Sequence, residues 1–176
     1  MNVVCRVCRT WILRQRLERM QSRVYQVAYA WSHDQVLARE LAVNALRHVA
    51  RDPRLFNKGA ELRIRLYQRM AEAHRRYQAR YRDLLRFVRT ESSTHYRPTG
   101  LIGRVRRALA RLPDEQRKAV ALVDIGGCSY EEVTGILGIP RERLVTALCQ
   151  ARVEMKTALL TSTASATWTG HLRSVP

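Results

Sequence analysis

The stretch 112–152, LPDEQRKAVALVDIGGCSYEEVTGILGIPRERLVTALCQAR, leaves a chain few choices, because residues that start and stop helices alternate along it at short intervals. Pro113 suits a first helical position, where its missing N–H costs no hydrogen bond and its φ is preset. Asp114 and Glu115 then put negative charge at the positive end of the helix dipole. Gly126 and Gly127 can end that helix through the left-handed conformation. Ser129 with Glu132 forms an S-x-x-E capping box for the next helix. Gly138 closes it, and Pro140 opens the one after. Val133, Leu137, Ile139, Leu144 and Leu148 supply the apolar side of two helices joined by a tight turn, a helix-turn-helix.

The rest of the chain also reads as helix. Leu13, Leu17, Met20, Val24, Val27 and Trp31 recur at alternating steps of four and three, which draws one apolar seam along a helix. A Ser-His-Asp break at 32–34 precedes a second helix at about 35–50, with Leu37, Leu41, Ala45, Leu46 and Val49 inward. The segment RDPRLFNK, 51–58, is rich in turn formers. A third helix is expected at about 59–89, with Leu62, Leu66, Met70, Ala73 and Tyr77 on its inner side. Residues 90–100, TESSTHYRPTG, lose periodicity and read as a linker. A further helix at about 101–111 leads into the punctuated segment. Strand-like alternation is absent, so the expected class is all-α, with two small helical domains joined by a short linker. The expected boundaries are 1–89 for the first domain, 90–100 for the linker, 101–160 for the second domain and 161–176 for a polar tail.

Charge narrows the partner. The chain carries a net +17, and residues 1–90 hold 20 basic against 7 acidic side chains, whereas 91–176 hold 12 against 8. Such an excess favours a polyanion, since each neutralised phosphate releases counterions. The more basic half is not the half with the helix-turn-helix, so the arginines of 59–89 need a separate account. No apolar run approaches the ~20 residues that span a bilayer, and arginines at 6, 9 and 14 interrupt the N-terminus, so no membrane partner and a cytoplasmic location are expected. Cys5 and Cys8 make a lone C-x-x-C without a second ligand pair, and Cys128 and Cys149 stand apart from it. No metal and no cofactor are therefore expected. Neither paired carboxylates, a nucleophile–base order nor a phosphate-cradling glycine loop stands out, and an enzyme is not expected.

The sequence LARLPDEQRKAVALVDIGGCSYEEVTGILGIPRERLVTALCQARVEM resembles region 4 of bacterial RNA polymerase sigma factors of the sigma-70 family, in the extracytoplasmic-function group. The resemblance rests on L-P-x-x-Q-R, G-x-S-Y-x-E, L-G-I-x and the terminal A-R. VYQVAYAW is similar to the first helix of that group's region 2, which makes the first domain region 2-like and extends the resemblance over about 20–158. Where the group carries an acidic D-x-x-Q-E motif for the polymerase clamp, this chain has Glu40, Leu41, Ala42, Val43 and Asn44. Where it carries W-L-x-x-I-A-x-N followed by Asp, this chain has Leu62, Leu66, Arg69 and Ala73 at the positions of Trp, Ile, Asn and Asp.

The resemblance implies a sigma factor that joins RNA polymerase core and directs it to promoter DNA, with an anti-sigma factor as a further candidate partner. On the recognition helix, positions 143, 146, 147 and 150 are expected opposite the buried 144, 148, 151 and 155. The candidate −35 contacts are Arg141, Arg143, Thr146, Gln150 and Arg152, since Arg and Gln suit guanine and adenine edges. On the third helix, Arg69, Arg75, Arg76 and Arg80 are the candidate −10 contacts; the alternative is a solvated charged face. Tyr67, Tyr77 and Tyr81 either stack on unpaired bases or border the core. Leu37, Glu40 and Leu41 are the candidate contacts with the clamp of the largest polymerase subunit, Glu40 otherwise being a surface acid. Two other functions stay open: a helix-turn-helix transcriptional regulator of sigma-like architecture that no longer binds core polymerase, and a sigma-like interaction module or decoy.

Overall fold

A computed structural model describes the backbone of residues 3–52, 59–87 and 100–168, and the side chains of 11–52, 59–80 and 100–160. Seven α-helices occupy the described residues: α1 (Val3–Ser32), α2 (Gln35–Ala50), α3 (Gly59–Phe87), α4 (Gly100–Arg111), α5 (Asp114–Val120), α6 (Tyr130–Leu137) and α7 (Arg141–Trp168). A π-helical turn, Ala121–Ile125, continues α5. The all-α class is as expected. The segment 53–58 and all of the expected linker except Gly100 lie outside the described residues.

Local chemistry accounts for the breaks. His33 ends α1 with φ +54, and the Asp34 carboxylate accepts the Leu37 N–H at 2.7 Å to cap α2. The seam of α1 faces inward as read: Leu13, Val24, Val27 and Trp31 are buried, with Leu17 and Met20 at its border. α7 runs past Leu160 to Trp168, longer than the expected end of the second domain. The stretch TSTASATW lacks Gly and Pro, so nothing in it forces the helix to stop.

α1, α2 and α3 pack on one another, and α4, α5 and α6 each pack on α7. The two groups also meet. α1 lies against α4, α5 and the π turn, while α3 lies against α6. Buried residues from both groups form one continuous cluster, from Leu13 and Trp31 through Leu66 and Met70 to Leu122, Val133, Leu144 and Leu148.

Two histidines sit where the groups meet. His74 of α3 is buried against Trp31, with ring centroids 6.0 Å apart, and His33 packs edge-on to Tyr29. Burial, then the nearby Lys118, lowers His74 to about 4, although Asp114 opposes the shift. Burial, then Arg117, lowers His33 to about 4. Both rings are therefore neutral in the folded chain at neutral pH. An unfolded histidine titrates near 6.5, so the unfolded state binds protons first as pH falls. Stability is expected to be full above pH 6.5 and to decline towards pH 4, by about 1–2 kcal/mol at pH 5 from His74 and less from the more exposed His33. Urea midpoints at pH 7.5 and 5.0 check this; His74→Phe should flatten the slope, and an unchanged slope would contradict it.

Candidate nucleic-acid interface

The turn before the recognition helix is built as the sequence suggests, with one exception. Ser129 Oγ accepts the Glu132 N–H at 3.2 Å, and Glu132 Oε2 accepts the Ser129 N–H at 2.8 Å, which completes the capping box. Gly138 takes φ +70 and its N–H donates to the Thr134 carbonyl, closing α6 before Pro140. Gly127 is left-handed at φ +66, but Gly126 is not; its φ is −70. Gly126 is needed for closeness instead. A Cβ there would lie 2.6 Å from the Leu122 carbonyl oxygen, because the π turn brings the two backbones together.

Glu132 does more than cap. Arg63 of α3 donates through Nη2 to both of its carboxylate oxygens, at 2.6 and 2.8 Å, with only 12% of the Glu132 side chain exposed. Gln68 of the same helix reaches the Gly135 carbonyl at 3.4 Å, and Gln78 reaches Asp114 at 3.4 Å. Asp114 also accepts from Lys118 at 2.6 Å and from Arg117 at 3.1 Å. Burial opposes ionisation of Asp114, but the Lys118 bond and the two positive charges outweigh it and hold the carboxyl below its ordinary value.

On α7, Arg141, Arg143, Thr146, Gln150 and Arg152 are all exposed, and Leu144, Leu148 and Ala151 are buried opposite them. Ala147 is buried too, contrary to the expected exposed set, because it faces the packed side between Leu144 and Leu148. The exposed arginines each hold an acid. Arg143 makes a two-pronged contact with Glu115, Nε to Oε1 at 2.8 Å and Nη2 to Oε2 at 2.7 Å. Arg141 bonds Glu131 at 2.8 Å and Arg152 bonds Asp124 at 2.7 Å. Gln150 accepts from Gln116 at 3.0 Å, and the Thr146 hydroxyl donates back to the Glu142 carbonyl at 2.9 Å. Sequence reasoning did not find Glu115, Gln116, Asp124 and Glu131 as members of this face. Two of the pairs are separated by 28 residues, a spacing no local periodicity announces.

On α3, Arg69, Arg75, Arg76 and Arg80 are exposed, and Arg69 bonds Glu72 at 3.2 Å. Tyr67 is fully buried, so it cannot offer a face to a base; Tyr77 is half-buried, and the Tyr81 side chain lies outside the described residues. Of the three candidate polymerase contacts, Leu37 and Leu41 are buried in the core, because α2 turns its apolar side to α1 and α3. Only Glu40 of that set is exposed. Cys128 is buried, and burial followed by the Glu132 charge pushes its thiol up to about 12, which makes it a core group and not a nucleophile. The side chains of Cys5 and Cys8 lie outside the described residues. No helix among the described residues is long and apolar enough to cross a membrane.

Residues 102–155 match the family Sigma-70, region 4. The solved structure of the sigma factor RpoE in complex with the anti-sigma factor NepR from Bartonella quintana is similar to the chain, with a TM-score of 0.66 and 22% identity, over 83% of this chain and 95% of that one. A comparison with curated proteins gives no match. The helix-turn-helix segment is thus similar to sigma-70 region 4, in a chain whose fold is similar to that of the solved sigma factor.

Proposed function

We propose that the chain acts as a sigma factor of the extracytoplasmic-function type, joining RNA polymerase core and directing it to promoters. The observation that carries this reading is the region 4 module itself, whose capping box and left-handed Gly138 aim an exposed Arg141, Arg143, Gln150 and Arg152 away from the core. In this reading α7 enters the major groove of the −35 duplex, and Arg69, Arg75, Arg76 and Arg80 of α3 meet the −10 element. Glu40 is the exposed group offered to the polymerase clamp.

The closed contact between α3 and α6 then has a geometric implication. The −10 and −35 elements lie about 25 base pairs apart, or ~85 Å at 3.4 Å per pair. A globule of this length has a radius of gyration of about 16 Å. Engaging both elements together therefore requires the helix groups to part.

Run-off transcription with core polymerase and a candidate upstream region tests the proposal. A specific transcript that depends on the chain supports it; absence of both transcript and a core–chain complex at micromolar protein overturns it. The burial of Leu37 and Leu41 favours a second reading, a DNA-binding regulator of sigma-like architecture that does not bind core. It predicts specific duplex binding without a core complex. RpoE was solved bound to an anti-sigma factor, so a partner of that class belongs to the same proposal, and a decoy that binds such a partner would show no specific duplex binding.

Arg143→Ala is expected to weaken binding to the preferred duplex roughly tenfold or more while leaving random duplex less affected, as a base contact would. Fluorescence anisotropy on both duplexes checks it. Equal losses on the two would reassign Arg143 to phosphate.

A further inference from the structure

The three arginines on the exposed face of the recognition helix are matched one to one by acids from the elements packed beside it. Glu115 comes from the first turn of α5, Asp124 from the π turn and Glu131 from the first turn of α6. The Glu115–Arg143 and Asp124–Arg152 pairs are nine residues apart on both segments, so α5 with its π turn runs alongside α7 in the same sense and delivers both acids in register. Arg143 is the most constrained of the three, since a two-pronged contact fixes the plane of its guanidinium as well as its position.

Three paired arginines present a recognition face close to neutral. Phosphate attracts a free guanidinium wherever it meets one, whatever the sequence, and that attraction supplies non-specific binding. A guanidinium already held by a carboxylate gains less from a lone phosphate. It remains able to present its outer N–H groups, in a fixed plane, to a base edge that accepts two bonds. The Arg143 side chain is 65% accessible, so the N–H groups that Glu115 does not hold stay open to a base edge.

We propose that Glu115 is a positioning residue for sequence readout: it orients Arg143 and suppresses binding of the region 4 face to non-cognate DNA. This rests on the DNA-binding reading given above. Two duplexes serve as probes, one selected by the full chain from a random pool and one scrambled to the same length and composition. Glu115→Gln keeps the shape and one acceptor but removes the charge.

The variant should bind the scrambled duplex about three- to tenfold more tightly, with a log–log salt slope steeper by about 0.9, the value for one added phosphate contact. Its ratio of selected to scrambled affinity should fall by a similar factor, and Glu115→Asp should recover part of that ratio. In an Arg143→Ala background, Glu115→Gln should change neither affinity nor slope, which separates action through Arg143 from a general structural effect. Unchanged scrambled-duplex affinity and slope for Glu115→Gln would overturn the proposal while leaving the DNA-binding reading intact. Failure of the unmodified chain to enrich any duplex would overturn both.

Discussion

Replacing Glu132 by alanine is expected to destabilise the chain by about 2–4 kcal/mol, more than the loss of an exposed helix acid would. The carboxylate serves two helices at once. It accepts the Ser129 N–H in the capping box, and it accepts both Arg63 contacts from α3. Losing a cap costs about 0.5–2 kcal/mol. Stranding the mostly covered Arg63 guanidinium adds the desolvation of a charge without its partner, which in fully buried pairs reaches about 3–5 kcal/mol and is smaller here because Arg63 is 30% exposed. Arg63→Met also leaves a charge without its ion partner, the Glu132 carboxylate, but keeps the capping box and the Ser129 N–H on that carboxylate, so it should cost less by about the worth of the cap. Urea unfolding of both variants measures the difference. Equal costs for the two would mean that the cap contributes nothing and that only the link between α3 and α6 matters.

Gly126→Ala is expected to cost about 2–4 kcal/mol, by a different physics. The added methyl would sit 2.6 Å from the Leu122 carbonyl oxygen and 3.2 Å from the Leu122 Cα, backbone atoms with no rotamer to change. That carbonyl also accepts the Cys128 N–H at 3.0 Å, so moving it weakens the turn into α6. Gly127→Ala meets only the Arg23 guanidinium at 3.6 Å, and its cost is that of the left-handed backbone, about 1–2 kcal/mol. Gly135→Ala, in the middle of α6 with open space at its Cβ, should stabilise by about 0.5–1 kcal/mol. Thermal unfolding of the three variants should rank them Gly135→Ala above Gly127→Ala above Gly126→Ala. A Gly126→Ala protein as stable as the parent would refute the close approach.

Helix positions were legible in the sequence wherever a local rule sets them. Asp34, Ser129, Glu132, Gly138 and the Pro140 break all act within a few residues, and the structure uses them as read. The end of α7 was less legible, because a Ser/Thr/Ala stretch neither propagates nor stops a helix by itself. Burial was misjudged at Ala147 because α7 packs on more than one neighbour, so its covered arc is wider than one seam; Leu37 and Leu41 are buried as read from the periodicity of α2, which leaves neither exposed as a clamp contact. The candidate reading face was named from Arg141, Arg143, Gln150 and Arg152, yet its state was not, since that depends on acids brought from 10 to 28 residues away by packing. The Gly126 requirement was hidden for the same reason: a π turn is set by how α5 meets its neighbours, and no residue type announces it.

The continuous core described above bears on how the molecule can be taken apart. Trp31, Val27, Leu122 and Leu144 belong to one apolar cluster, so neither helix group closes its own interior. Cutting the chain at the junction would leave each fragment with an uncovered apolar flank, a surface of the kind that drives aggregation. The helix-turn-helix half therefore borrows part of its solubility from the arginine-rich half, and anything that parted the two would have to supply a replacement cover for the face it exposed.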